Sequence, residues 1–311
     1  MQNVDDYIEI LTNASGITTQ QAKTCLYYAI STHLEHLSIM PILAIIGAQG
    51  TGKSALLEQL RCMVSAPKLI GAESPATLRD ALADATTALI DEGDKADERY
   101  LQRRYSTETA EVTHNVAKKN QTWYKSNSNI FGATIIVRRT PFEDPATRSR
   151  AIVIHTKYRK GTYVVREVDS KCLAEIAESI KLDNETSQRI NDNWRVLQAV
   201  ARTLGDDEWL NYSQSEIKKD IHAMMASQGF EPEEAVLVAL RERMTIIKQD
   251  GREIYRVDPL ISDVKADLKQ HYDLNLKSYQ IKELCIGMGF RWSRQTTILR
   301  SRPMPSLWRS C

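Results

Sequence analysis

The spacing of apolar residues changes along the chain and separates predicted helices from predicted strands. Helical spacing runs through 4–12 and 19–37, with a break at Ser15-Gly16. Residues 41–46 are instead a continuous apolar run, which is typical of a strand buried on both faces of a parallel sheet. The pattern also predicts helices over 53–64 and 74–84 and strands at 68–70, 86–90, 132–137 and 151–154. Strands that alternate with helices predict an α/β fold built on a parallel sheet.

The rest of the chain is mainly helical in pattern. A hairpin is predicted at 152–166, and helices follow over 168–181, 185–204, 213–226, 232–245, 261–271 and 278–288. At 311 residues the chain is longer than the roughly 250–300 residues at which a single core stops growing. We therefore expect a substantial core and a smaller module.

Composition excludes several classes of protein but leaves the function open. Hydrophobic residues at 42% and charged residues at 26% are ordinary for a globular protein and exclude a disordered or fibrous chain. No apolar run approaches the ~20 residues of a bilayer span, and residues 1–6 lack the features of a signal peptide. We expect a cytoplasmic protein without a membrane partner. The five cysteines have no metal-ligand spacing and are expected to be reduced thiols.

The net charge of +1 conceals two basic regions. Between 112 and 166 there are eleven basic residues against two acidic ones, a net charge of +9. The final 22 residues carry five arginines and no acid. Basic clusters of this kind suit an anionic partner such as a nucleic acid.

The most specific motif is the run after the first predicted strand, Gly47-Ala48-Gln49-Gly50-Thr51-Gly52-Lys53-Ser54. This is the spacing and context of a P-loop, a strand before it and a helix after it. Its glycines let backbone N–H groups point at phosphate oxygens, and the helix N-terminus adds its dipole. Lys53 is predicted to reach the β- and γ-phosphates and Ser54 to bind Mg²⁺, with Ala55 completing the nucleotide-binding set. The predicted ligands are ATP and Mg²⁺.

An acidic pair, Asp91-Glu92, follows the predicted strand at 86–90. A P-loop needs an acidic residue on a neighbouring strand, so Asp91 is predicted to hold the metal. Glu92 is predicted to orient or deprotonate the attacking water, which distinguishes a hydrolase from a small-molecule kinase. The alternative is an acidic surface turn.

Four arginines are candidates for the positive charge that ring ATPases place near the γ-phosphate. Arg138 and Arg139 end one predicted strand, and Arg148 and Arg150 precede the next. Arg150 is the first choice, and either Arg148 or Arg150 could act on a neighbouring subunit. Each of the four could instead be an ordinary surface charge.

Together these motifs resemble the AAA+ and superfamily 3 helicase branch of P-loop ATPases. The segment 193–201, followed by 205–209, resembles the helical lid of helicase-like ATPases of phages, plasmids and integrated elements, which are often linked to primases. We predict a helical segment at 1–38, a P-loop ATPase core at 39–166, a helical lid at 167–250 and a winged-helix domain at 251–311. The lid lacks a clear Gly-Ala-Arg sensor motif, which leaves its sensor residues in doubt.

Two regions have the composition of DNA-binding elements. The stretch around 116–125 suits a hairpin that grips single-stranded DNA, with candidate contacts at Lys118, Lys119, Trp123 and Lys125. The alternative is a solvated hairpin whose aromatic residues pack on the core. The C-terminal helices fit a winged helix, with candidate contacts at Arg291, Arg294 and Arg300. The alternative there is a small helical cap with a solvated tail.

The leading hypothesis is a replication helicase or DNA translocase of a mobile element. It would hydrolyse ATP at the subunit interfaces of a homo-oligomeric ring such as a hexamer, act on single-stranded or forked DNA, and work with a primase or another replication protein. One alternative is a helicase loader or ATP-dependent DNA-binding switch whose residues 1–38 bind a partner. A third is an ATPase sensor of a signalling or defence system.

Overall fold

A computed structural model describes residues 3–71, 74–117, 123–158, 163–182, 189–227, 236, 239–240, 244–249, 252–257, 261–272, 276–287, 291–292 and 298–300. The chain forms two compact units, residues 1–217 and 218–311. The predicted segment boundaries at 38, 166 and 250 stay predictions.

The first unit is built on a five-stranded parallel sheet. Its strands are β1 (Ile42–Ile46), β2 (Pro67–Ile70), β3 (Thr87–Ile90), β6 (Ala133–Arg138) and β7 (Ala151–His155), in the spatial order β2-β3-β6-β1-β7. All five residues of β1 are buried, because this strand lies inside the sheet and is covered on both faces. The predicted α/β fold with a parallel sheet is confirmed.

The register of the sheet brings three strand ends together. Ile46 of β1 lies opposite Arg138 of β6, and Ile90 of β3 lies opposite Ile136 of β6. The loops after β1, β3 and β6 therefore meet at one edge, which we call the carboxyl edge. The segments that precede these strands meet at the other, the amino edge.

Nine helices are described in the first unit or begin in it. They are α1 (Val4–Ala14), α2 (Thr19–Ser31), α3 (Lys53–Arg61), α4 (Pro75–Ala83), α5 (Glu98–Arg104), α6 (Pro145–Arg148), α7 (Ser170–Glu178), α8 (Arg189–Leu204) and α9 (Asp207–Ser227). Most agree with the predicted helices within a few residues, whereas α5 and α6 were not predicted.

The two N-terminal helices are part of the first unit's core. A capping box between Thr18 and Gln21 starts α2, and the aromatic residues Tyr7, Tyr27 and Tyr28 are fully buried. Tyr27 packs edge-on against Trp209, with 4.9 Å between ring centroids. Residues 3–31 therefore contribute buried surface to the unit that contains the sheet.

A two-stranded hairpin, β4 (Glu111–Ala117) and β5 (Trp123–Asn129), occupies the long polar stretch before β6. The predicted hairpin is thus present. Arg104 anchors its base, because its guanidinium is almost fully buried and donates to backbone carbonyls of Leu82, Ala85 and Ile130, among others. Burial lowers the pKa of Arg104 to about 10, and carbonyl oxygens take the place of a carboxylate partner.

In its described residues the second unit contains an antiparallel sheet, the end of α9, helical residues at 236, 239 and 240, and two further helices. The sheet has the order β10-β11-β9-β8, from β8 (Met244–Gln249), β9 (Arg252–Val257), β10 (Arg291–Trp292) and β11 (Ile298–Arg300). Helices α10 (Ile261–Tyr272) and α11 (Ser278–Gly287) match the predicted helices closely.

One predicted element was wrong, and another was correct only in part. The predicted helix over 232–245 is present at the described residues 236, 239 and 240, but its last two residues, Met244 and Thr245, belong to β8. Thr245, Ile246 and Ile247 are β-branched and pair with β9. The predicted hairpin at 152–166 has no second strand in the described residues 163–166, and Lys157 forms a bridge with Gly16 instead. Among the described helices, none is both long and apolar enough to cross a bilayer.

Candidate active site

The loop between β1 and α3 is shaped by three glycines. Gly50 and Gly52 have positive φ angles of 78° and 82°, a conformation that favours glycine. A Cβ on Gly47 would lie 2.2 Å from Thr156 Oγ1, so that position admits no larger residue without movement. The loop then opens α3 at Lys53, which directs the N-terminus of the helix towards the same space.

Lys53 is held inside the loop that precedes it. Its side chain is 9% exposed, and its Nζ donates to Ala48 O at 2.7 Å. Burial lowers its pKa, and the nearby positive charge of Arg139 lowers it further, whereas Asp94 and Asp91 act in the opposite direction. An ammonium group with lowered pKa and few protein partners is suited to bind an anion.

Ser54, in the first turn of α3, and Asp91, directly after β3, come together. Ser54 Oγ donates to Asp91 Oδ1 at 3.4 Å, and both side chains face the space beside the loop. Hydroxyl and carboxylate oxygens are the ligands that Mg²⁺ prefers. Within the described residues no group of three or more His, Cys, Asp or Glu side chains could hold a metal.

Glu92 has a backbone conformation that is uncommon for its residue type. The residue is exposed, and its backbone lies in the left-handed region, with φ 51° and ψ 39°. Its N–H donates to Asp91 Oδ1 at 2.9 Å. Left-handed residues other than glycine carry strain that is often found at functional sites. The turn directs the chain from β3 across the carboxyl edge.

A cleft of about 420 Å³ joins these groups. Its lining comes from the loop, from the acidic segment after β3 and from the end of β6: Gln49, Gly50, Gly52, Lys53, Ser54, Ala55, Asp91, Glu92, Asp94, Val137, Arg138 and Arg139. Both predicted metal ligands and six of the nine predicted nucleotide-binding residues thus line one opening, whereas Gly47, Ala48 and Thr51 of the same loop do not line it.

The four candidate arginines fall into three environments. Arg139 is exposed and lines the cleft. Arg138 is only 2% exposed, pairs with Glu98 at 3.3 Å and lies over the ring of Phe142, so it is a packing residue.

Arg148 and Arg150 lie at the other edge of the sheet. They precede Ala151, which lies opposite Ile42 at the start of β1. Gly47 follows the other end of β1, so the length of this strand, about 16 Å, separates the backbone of the two arginines from Gly47. Arg150 is half-buried and its Nη1 donates to Ala146 O at 2.6 Å, whereas Arg148 is exposed. The fold brings Arg139 to Lys53 and does not bring Arg148 or Arg150 there.

The predicted DNA contacts can be described only in part. Lys125 is exposed on β5, opposite Asn115 of β4. Trp123 lies in β5, Arg291 in β10 and Arg300 in β11. Lys118, Lys119 and Arg294 lie outside the described residues.

Two contacts of the loop were not predicted from the sequence. Ser15, at the end of α1, is buried and its Oγ donates to Thr51 O at 3.1 Å. Thr51 Oγ1 and Thr156 Oγ1, from β1's loop and the end of β7, are 2.7 Å apart. Spacing along the chain gives no signal for either contact, because both join segments that are distant in sequence.

Comparisons of the chain with protein-family models and with curated proteins found no match.

Proposed function

We propose that this protein is an ATPase of the helicase or DNA translocase type, in which ATP hydrolysis moves DNA past a homo-oligomer. The observation that carries the proposal is the cleft itself, where Lys53, Ser54, Asp91, Glu92 and Arg139 converge from three segments. A lysine, a hydroxyl, two carboxylates and an arginine are the groups that phosphoryl transfer to water requires.

The substrate would bind through the loop 47–54, acting as a P-loop. The N-terminus of α3 and the loop's N–H groups would face the phosphates, and Lys53 would exchange its contact with Ala48 O for the β- and γ-phosphate oxygens. The exchange is favourable because a buried ammonium gains a charged partner.

Ser54 and Asp91 fit a magnesium ion. Mg²⁺ commonly uses one or two protein oxygens and completes its shell with water and phosphate oxygens, so two ligands 3.4 Å apart are sufficient. When bound there, the ion would neutralise charge on the phosphates. Asp91 would be held in place by the N–H of Glu92.

Glu92 and Arg139 would act on the hydrolysis step. The exposed carboxylate of Glu92 would orient a water molecule and accept its proton as the oxygen attacks the γ-phosphate. Arg139 would stabilise the charge that develops on the γ-phosphate oxygens. Arg148, on the amino edge, would supply a second positive charge only to the cleft of an adjacent copy.

The hairpin β4–β5 and the second unit are the proposed DNA-binding elements. Lys125 is exposed on a hairpin that begins at the amino edge, and Arg104 fixes the hairpin base to the sheet. In the second unit, two helices followed by an antiparallel pair of strands fit a winged helix, with Arg291 and Arg300 on the strands.

A helicase loader or ATP-dependent DNA-binding switch is the second candidate. The contact of Ser15 with Thr51 favours it, since a partner bound to α1 would act directly on the nucleotide loop. Against it, α1 and α2 bury most of their apolar residues within their own unit.

The deciding experiment is steady-state ATP hydrolysis with and without single-stranded DNA, with oligomer mass measured by light scattering in the same samples. Stimulation by DNA in a ring-sized species is expected, and Lys53→Ala should abolish it. Hydrolysis that is indifferent to DNA in a monomer would overturn the motor and favour the loader. Absence of nucleotide binding would overturn both.

A further inference from the structure

The acidic segment after β3 makes a turn that docks onto the end of β6. After Asp91 and the left-handed Glu92, Gly93 packs so closely on β6 that a Cβ there would lie 2.3 Å from Ile136 Cγ1. Its carbonyl accepts a hydrogen bond from Arg138 Nη1 at 3.3 Å. The glycine therefore lets the next residue, Asp94, reach the chain that leaves β6.

The carboxylate of Asp94 accepts hydrogen bonds from the backbone at Arg139. The N–H of Arg139 donates to Asp94 Oδ1 at 2.9 Å and to Oδ2 at 3.2 Å. The N–H and the hydroxyl of Thr140 both donate to Oδ1 at 3.2 Å. These bonds join two segments that follow different strands, and they hold the N–H groups of the two residues after β6.

The charges around Asp94 are consistent with a role in ordering cations. Burial would raise the pKa of Asp94, but the hydrogen bonds from Arg139 and Thr140 outweigh it and hold the pKa below its ordinary value. Arg139 disfavours the charged form of Lys53, and Asp94 favours it. The negative charge of Asp94 therefore favours the charged form of Lys53 in a cleft that Arg139 also lines.

We propose that Asp94 is a positioning residue, which fixes Arg139 beside Lys53 so that both cations meet the same phosphate group. Asp94 lines the cleft, but in this mechanism it acts through Arg139. The inference rests on the proposed function, because it assigns Arg139 to the hydrolysis of ATP.

The test is a double-mutant cycle on ATP turnover with the full chain. Asp94→Ala and Arg139→Ala should each lower kcat by about 10-fold or more, because small misplacements of a catalytic group are costly. The KM for ATP should change by less than about threefold, and the double variant should be no slower than the worse single variant. Asp94→Asn should recover part of the loss, since an amide oxygen still accepts from the backbone.

Asp97→Asn is the matched control. Asp97 caps α5 and pairs with Arg99 two residues further along the chain, and asparagine caps a helix equally well. Its kcat should equal that of the wild type. Hydrogen exchange of the peptide containing residues 139 and 140 should be faster in Asp94→Ala than in Asp97→Asn, with no nucleotide present.

The possible failures are distinguishable. Full turnover in Asp94→Ala, or losses that multiply in the double variant, would overturn the positioning role while leaving the ATPase intact. Unchanged exchange at residues 139 and 140 would also overturn it. A wild-type protein that binds no ATP would overturn the proposed function, and the inference with it.

Discussion

The hydroxyl of Ser54 and the carboxylate of Asp91 are joined by a hydrogen bond of 3.4 Å, although Ser54 lies in the first turn of α3 and Asp91 directly follows β3. The two oxygens that we propose as Mg²⁺ ligands are therefore already neighbours in the fold. A cation that binds them replaces one weak hydrogen bond and is not required to draw the two segments together. The metal requirement of the protein should therefore depend on both side chains.

Replacing Ser54 by alanine should raise the Mg²⁺ concentration needed for half-maximal ATP turnover by about 10-fold or more, since a ligand is lost. Chelation of Mg²⁺ should stop the wild-type reaction. Titration of Mg²⁺ at saturating ATP measures the change. Ser179→Ala, on an exposed serine at the end of α7, is the control. An unchanged Mg²⁺ requirement would exclude Ser54 as a ligand.

The Glu92→Gln variant should bind ATP with unchanged affinity and hydrolyse it at least about 100-fold more slowly, because the amide cannot accept the proton of the attacking water. A fluorescent ATP analogue reports binding and phosphate release reports turnover. Glu175→Gln alters an exposed glutamate on α7 and should match the wild type. Substantial turnover in Glu92→Gln would remove this residue from the mechanism.

Arg148→Ala should bind ATP normally but hydrolyse it at least about 10-fold more slowly, since its exposed side chain, which donates to Phe142 O in its own chain, is proposed to act on the cleft of an adjacent copy. Mixing it with Lys53→Ala, which retains Arg148, should restore part of the activity in shared oligomers. Arg61→Ala, on an exposed arginine paired with Glu58, tests whether loss of any surface arginine has this effect. No recovery on mixing would argue against action between subunits.

Lys125→Ala should weaken the binding of single-stranded DNA a few-fold and reduce the slope of log K against log salt by about 0.7, the value for one phosphate contact. Fluorescence anisotropy at several salt concentrations gives both quantities. Lys171→Ala, also on an exposed lysine, should leave them unchanged. An unaltered slope in Lys125→Ala would place the DNA elsewhere.

Asp206 links the start of α9 to α2, and its replacement by asparagine should cost about 1–3 kcal/mol at neutral pH. Its carboxylate accepts from Lys23 at 2.7 Å and from Tyr27 at 2.5 Å. Burial would raise the pKa of Asp206, but these partners hold it below the ordinary 3.8.

The pH dependence of this contribution has a definite sign. A carboxylate with a lowered folded-state pKa stabilises the protein above the unfolded pKa, and the contribution is lost as pH falls through the folded one. Wild-type stability in urea should therefore drop on acidification from about pH 5, and more steeply than in Asp206→Asn. The exposed Asp207→Asn should behave as the wild type. Equal slopes in Asp206→Asn and the wild type would contradict the role of the ion pair.

The sheet and the cleft were largely predictable from local pattern. Buried strands such as β1 show as apolar runs, and the loop 47–54 has a fixed spacing that backbone geometry demands. The proximity of Arg139 to Lys53 was harder to predict, because it depends on β6 lying between β1 and β3. Strand order is set by pairing between distant segments, which local spacing does not encode.

Local spacing also does not reveal the contacts of Asp94 and Ser15, because each of these residues meets a segment that is distant in sequence. Asp94 looks like one more acid in a polar turn until the end of β6 is placed against it. Ser15 looks like a helix terminus until it meets Thr51. The end of the helix predicted over 232–245 was placed too far along the chain for a different reason, since a short apolar run such as 244–247 fits either a helix or a strand.

Arg148 and the cleft lie on opposite edges of one sheet, and this limits the symmetry of any assembly that uses both. In a two-fold dimer the same patch of both subunits forms the contact. The amino edge of each subunit would then have to meet the carboxyl edge of the other at the same time. A head-to-tail contact joins the amino edge of one subunit to the carboxyl edge of the next, and it leaves one free edge at each end of the series. Such a contact is heterologous, and the rotation between successive copies decides whether the series closes on itself or continues as a filament.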